Sequence, residues 1–83
     1  MSTAALPSDL HAMVATLSEL RRFSRDGIAA TPTALSRAAF LRRTTTYRAL
    51  EQLRDLGFAE PAQRLRRRCA AWTLTDIARG RAA

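Results

Sequence analysis

The stretch from Thr31 to Gly57, TPTALSRAAFLRRTTTYRALEQLRDLG, constrains this chain more than any other. It holds two helical patterns separated by only a few residues. Thr31-Pro32 reads as a helix start. The threonine hydroxyl can accept from a free first-turn amide, and proline at the first helical position has no N–H to waste. The spacing predicts a helix over 32–39 with Leu35, Ala38 and Ala39 facing inward. Phe40-Leu41-Arg42 is the turn. A second helix is expected from Arg43 to Leu56, and Gly57 supplies its left-handed stop. Its inward positions are Thr46, Ala49, Leu50, Leu53 and Leu56. At about 100° per residue, Thr44, Arg48, Glu51 and Asp55 point the other way, with Tyr47 and Arg43 on one flank. Two short helices cannot close a core alone, so the flanking chain must supply the rest.

On the N-terminal side, Leu10, Met13, Val14, Leu17 and Leu20 recur at helical spacing. They predict a helix over about 9–24, capped by Ser8 or Asp9 and ending in Arg21, Arg22 and Arg25, whose charges suit a helix C-terminus. Asp26-Gly27 is a turn signal. Ile28-Ala29-Ala30 is short and apolar, and a minimal one-bond strand is one reading of it. After Gly57 the period changes. Phe58–Pro61 and Cys69–Leu74 read as two strands of a hairpin, with Ala62-Gln63-Arg64-Leu65-Arg66-Arg67-Arg68 between them. Trp72 and Phe58, on facing strands, are expected to pack over the second helix of the pair. Thr75 opens a last helical turn to about Arg79. His11 falls off the apolar stripe and reads as a surface residue; Cys69 reads as a small strand residue.

With 83 residues, one domain is expected: 1–8 a flexible N-terminus, 9–79 the folded unit, 80–83 a tail. The formal charge is +7, and all 14 basic residues are arginine. A small domain this basic seeks a polyanion. Nucleic acid is the first expectation; an anionic membrane surface or an acidic protein would also satisfy the charge. One cysteine and one histidine provide no metal-ligand set and no intrachain disulfide, so neither metal nor cofactor is expected and a reducing cytoplasm fits. No apolar run approaches membrane-spanning length, and the first residues lack the pattern of a signal peptide. Catalytic arrangements of Ser/His/Asp, Cys/His or paired carboxylates are not evident, so no enzyme is expected.

The order of elements resembles a winged helix-turn-helix domain, and particular residues resemble the MarR-like transcription regulators. Leu35 and Ser36 match the Leu-Ala opening of the first motif helix, and Leu41 matches the apolar turn residue. Thr45, Arg48 and Leu50 fall where Thr, Arg and Leu are usual in the reading helix. Glu51–Glu60 is similar to the step into the wing, and Leu74-Thr75 followed by Gly80-Arg81 to the family's closing motif. The similarity covers roughly residues 28–81. It implies a mainly α fold with a small β-hairpin: a three-helix core plus wing. Three residues depart from the pattern. Phe40 stands in place of the turn glycine, and Arg42 in place of the Ser/Thr cap of the reading helix. Thr46 replaces a buried valine, so its hydroxyl needs an acceptor such as the carbonyl four residues back.

The resemblance implies a regulator that binds double-stranded DNA, of bacterial or phage type, as a homodimer or as a monomer. Arg43, Thr44, Tyr47 and Arg48 would enter the major groove, where an arginine fork fits guanine and a threonine methyl fits thymine. Arg42 and Thr45 would meet phosphates. Arg64, Arg66, Arg67 and Arg68 of the wing would reach flanking phosphates or the minor groove. The competing expectation is a winged-helix protein-interaction module, such as a phage adaptor, docking an acidic partner through Glu51, Arg54 and Asp55.

Overall fold

The computed structural model describes the chain path over residues 7–66 and 69–80, and side-chain surroundings over 9–62 and 71–80. Three helices come first, α1 (Pro7–Arg25), α2 (Pro32–Ala39) and α3 (Arg43–Asp55), followed by β1 (Ala59–Arg66) and β2 (Cys69–Leu74). The α2 and α3 boundaries match the expectation to within a residue. α1 is longer at both ends. β1 continues past Pro61 to Arg66, and Phe58 precedes the strand instead of lying in it. It is half-buried against the core from that position.

The hairpin is antiparallel, with Ala59 opposite Leu74 and Arg66 opposite Cys69. β1 has 8 residues and β2 has 6, and the difference is taken up by register shifts at Ala62 and Leu65. Such extra residues bend and twist a ribbon. Ala30 forms a bridge on the other edge of β2. Its N–H donates to the Trp72 carbonyl at 2.9 Å and its carbonyl accepts from the Trp72 N–H at 2.7 Å. The segment Ile28–Ala30 is therefore a one-residue third strand, with two hydrogen bonds rather than one. The bridge also explains how β1 tolerates Pro61. In an antiparallel strand the N–H and C=O of one residue point to the same side. Those of Trp72 point to Ala30, so Pro61, opposite Trp72, sits at a position with no ladder bond to lose.

The core joins Leu20, Leu35, Leu50, Leu53, Trp72 and Leu74, with Ala30 and Ala59 filling between them. Thr46, Ala49, Leu50 and Leu53 of α3 are buried, as the spacing predicts; Leu56 is not, at 59% exposed. It lies on the flank of α3, roughly 80° from the direction of Thr46. In α2 the fully buried residues are Pro32, Leu35 and Ser36, with Ala38 and Ala39 only half-buried.

The larger departure is in α1. Its innermost residues are Ala12, Thr16 and Leu20, while Leu10 and Val14 are 55% and 56% exposed. The helix is turned by roughly 100° from the orientation that its bulky apolar stripe predicts. Small Ala12 and Thr16 side chains allow a close approach at the centre of the packing face, and Met13 and Leu17 cover the flank.

Each helix closes at its C-terminus with the same device. At the end of α1, Gly27 N–H donates to the Ser24 carbonyl and Ile28 N–H to the Phe23 carbonyl. At α3, Gly57 donates to Arg54 and Phe58 to Leu53. At α2, Phe40 donates to Arg37 and Leu41 to Ser36. All three are Schellman closures with a left-handed residue, φ +73° and +84° at the two glycines and +56° at Phe40. A side chain in that conformation costs about 1–2 kcal/mol. At the other ends, the Thr31 hydroxyl accepts from Ala34 N–H at 3.1 Å, as expected of a cap, while Arg42 caps α3 with no side-chain bond. The buried Thr46 hydroxyl donates to the Arg42 carbonyl at 3.1 Å, the acceptor four residues back. Thr75 joins the end of β2 to the end of α3. Its hydroxyl donates to the Gly57 carbonyl at 2.6 Å and accepts from Ala78 N–H at 3.2 Å.

Thr16 is fully buried, and its hydroxyl has no hydrogen-bond partner among the described residues. An unmatched buried hydroxyl costs about 1–3 kcal/mol, and valine has nearly its shape. Thr16→Val is therefore expected to raise the unfolding free energy by about 1 kcal/mol, read from the urea midpoint at unchanged slope.

Candidate nucleic-acid interface

α3 is presented by its two ends. The Schellman closure at Phe40 turns the chain sharply out of α2, and Thr46, Ala49, Leu50 and Leu53 pin the inner side of α3 to the core. The opposite face is then obliged to look outward. Arg42, Arg43, Thr44, Tyr47 and Arg48 are all exposed, and Thr45 is half-buried on the flank. Tyr47 retains 44% exposure, so it does not lie flat under the hairpin. The residues expected to act together therefore lie in the cap and first half of one helix, five of them exposed and Thr45 half-buried.

The electrostatics divide α3 in two. In the first half, Arg42 and Arg43 have no ion-pair partner among the described residues. Arg48 is drawn toward Asp9 at the start of α1, with 3.8 Å between Nη1 and Oδ1. That distance is an ion pair without a hydrogen bond, and the Arg48 side chain remains 68% exposed. In the second half, Arg54 pairs with Glu51 one turn away, and Asp55 is exposed. The helix is therefore cationic and hydroxyl-bearing toward its N-terminus and mixed toward its C-terminus. Residues 27–50 contain no acidic side chain at all, so α2, the turn and the first half of α3 carry positive charge only.

The wing residues divide differently. Arg64 and Arg66 are in β1, opposite Ala70 and Cys69 near the tip of the hairpin. Arg67 and Arg68 lie outside the described residues, as does the arginine at position 81.

Three features were not found from the sequence. One is the Asp9–Arg48 pair: Asp9 read as a helix cap, and nothing local signals that α1 begins beside the middle of α3. The second is an open cleft of about 700 Å³ between the end of α1, the α1–α2 connection and the base of the hairpin, lined by Arg21, Ser24, Arg25, Ile28, Thr73 and Arg79 among others. It shares no residue with α3. Arg79 is held there by a 2.6 Å hydrogen bond to the Thr73 hydroxyl and by Asp76. The third is a shallow apolar groove of about 180 Å³ between Leu10, Val14 and Leu17 of α1 and Leu53, Leu56 and Phe58. Among the described residues, no group of three His, Cys, Asp or Glu side chains converges to hold a metal ion, and no helix is long and apolar enough to cross a membrane.

No protein-family model matches the chain, and a search of curated proteins finds no relative. Among solved structures, the chain is similar to a crystal structure of ZitR, a zinc-responsive MarR family member from Lactococcus lactis. The TM-score is 0.60 and the identity 16%, and the match covers 95% of this chain. This chain spans 50% of the length of that structure. The likeness is one of fold, and it agrees with the helix order and the two-stranded hairpin: the domain is a winged helix-turn-helix.

Proposed function

We propose that this domain binds double-stranded DNA as a sequence-specific transcription regulator, with the first half of α3 in the major groove. The observation that carries the reading is the single exposed surface formed by Arg43, Thr44, Tyr47 and Arg48, inside a 24-residue segment that has no acidic side chain. Arginine forks can bind guanine O6 and N7 in a bidentate manner, and the Thr44 methyl can meet a thymine methyl. Arg42 and Thr45, at the edge of this surface, suit phosphates, and the arginines of the wing suit the flanking backbone. The likeness to a MarR family member supports the same reading, because that fold presents a helix this way.

The apolar groove supports a homodimer. Leu10, Val14 and Leu56 together leave an exposed apolar strip that the core does not use. Two copies meeting through it would present two reading helices, as two-fold related half-sites require. The rotation of α1 is what frees this strip, since a single stripe could not both fill the core and pair.

The first test is selection of bound duplexes from a random pool. The proposal expects one enriched sequence, and a pool retained without enrichment, or not retained at low salt, contradicts it. On the selected duplex, Arg48→Ala is expected to cost about 1–3 kcal/mol and to relax the choice at one base. Arg64→Ala is expected to weaken all duplexes alike and to reduce the salt slope by about one. Asp9→Asn removes the carboxylate that holds Arg48, and is expected to tighten binding in fluorescence anisotropy at low salt, with the gain shrinking as salt screens the pair. Val14→Asp is expected to convert a dimer to a monomer in sedimentation equilibrium while the thermal midpoint extrapolated to low concentration stays near that of the parent. A protein-interaction module would instead bind no duplex and lose its partner on charge reversal at Glu51 or Asp55.

A further inference from the structure

All three helices close with the same pair of hydrogen bonds, and two of them put glycine at the left-handed position. The closure of α2 puts Phe40 there. Its φ is +56°, and it is the sole non-glycine residue with positive φ among the described residues. Nothing inside the fold accounts for the choice. The side chain is 95% exposed, more than any other large apolar residue described, so it contributes no packing to the core. A strained backbone position and a wholly solvated aromatic ring are each unfavourable for the folded chain alone. Glycine or asparagine would serve the turn better. A residue that carries both costs points to a partner outside the fold.

The surroundings identify the chemistry of that partner. Arg37, Arg42 and Arg43 are exposed within three residues of Phe40 in sequence, and none has an ion-pair partner among the described residues. The nearest acidic residues along the chain are Asp26 and Glu51. The ring is thus an apolar surface with positive charge around it. An apolar protein pocket would have to desolvate those arginines without pairing them. The edge of a DNA groove meets both demands, because it offers apolar thymine methyl groups flanked by phosphates. The backbone also limits the distance. Phe40 is three residues from Arg43, so its Cα lies within roughly 11 Å of the first residue of the reading helix.

We propose that Phe40 is a DNA-reading residue whose ring contacts a thymine methyl at the edge of the major groove, next to the bases read by α3. This rests on the DNA-binding reading above and extends it to a position outside the helix. The strained turn holds the ring away from the protein, and Arg37 and Arg42 at its sides engage the phosphates on either side of that thymine, while Arg43 stays with the bases read by α3.

The test uses the full chain and the duplex it selects from a random pool. Each thymine in the duplex is replaced singly by uracil, which removes only the methyl. Wild type is expected to lose about fourfold in affinity at one thymine beside the bases that Arg48→Ala relaxes, the factor for one buried methyl-sized group. Phe40→Gly and Phe40→Asn both suit the left-handed position. They are expected to bind the unmodified duplex about tenfold more weakly, to be indifferent to uracil at that thymine, and to keep the wild-type salt slope. Their thermal midpoints are expected to equal or exceed that of wild type, which separates a lost contact from a lost fold. If both variants bind as wild type does, or remain sensitive to uracil at the same thymine, Phe40 reads nothing and the proposal is overturned while DNA binding stands. If the wild-type chain retains no duplex at low salt, the DNA-binding reading fails and this proposal fails with it.

Discussion

The two hydrogen bonds between Ala30 and Trp72 hold the parts of this domain in their working arrangement. The link joins distant parts of the chain, from the connection between α1 and α2 to the second strand of the hairpin. It fixes the start of α2, because Thr31 is the next residue and caps that helix. It fixes the hairpin, because the other edge of β2 carries β1. It also places the Trp72 ring among Leu20, Leu35, Leu50 and Leu53, one residue from every helix and a second from α3. Thr75 completes the arrangement by tying the end of β2 to the carbonyl of Gly57. With both ends of the wing anchored, α3 has one orientation, and its outer face is determined by what its inner face must bury.

Much of this could be read from the residues in order. The caps of α2 and α3 were legible because they depend on neighbours a few positions away: Thr31 with Ala34, Thr46 with the Arg42 carbonyl, Gly57 with Arg54. The outer face of α3 was legible because four buried positions define its opposite. What was not legible depends on which element packs on which. The stripe of Leu10, Met13, Val14, Leu17 and Leu20 marks an apolar side of α1, yet helical period alone does not say that small Ala12 and Thr16 will form the closest contact. Leu56 was misplaced for a related reason, since a residue on the flank of a helix is buried only if a neighbour reaches it. The Asp9–Arg48 pair, with 38 residues between its partners, has no local signature whatever. In the wing, Arg64 and Arg66 are placed by strand register, and Arg67 and Arg68 lie beyond the described residues, so their assignment continues to rest on sequence.

The features that the core leaves unexplained are concentrated around α3. The acid-free segment, Arg42 and Arg43 unpaired among the described residues, the weak grip of Asp9 on Arg48, and Phe40 at a glycine position all lie in or beside the turn and the first half of that helix. Each is neutral or unfavourable for an isolated folded chain. Arg42 gives up a capping bond worth about 1 kcal/mol, and Phe40 adds a similar strain. A domain of this size has few kcal/mol to spare, so two such concessions within one three-residue turn are informative. They fit the proposed contact with an anionic partner that has apolar features. The cleft lined by Arg21, Arg25 and Arg79 is basic too, but there Arg79 is engaged by Thr73 and Asp76.

The central claim, that the first half of α3 with its preceding turn is the DNA interface, is tested most directly by titrating duplex DNA into isotope-labelled protein and following backbone amide resonances. The account predicts that the largest shifts fall on residues 40–48 and on the hairpin arm near Arg64 and Arg66, with Leu10, Val14 and the Arg21–Arg25 end of α1 little changed. Shifts centred on the cleft of Arg21, Arg25 and Arg79, or an unperturbed spectrum at low salt, would contradict it.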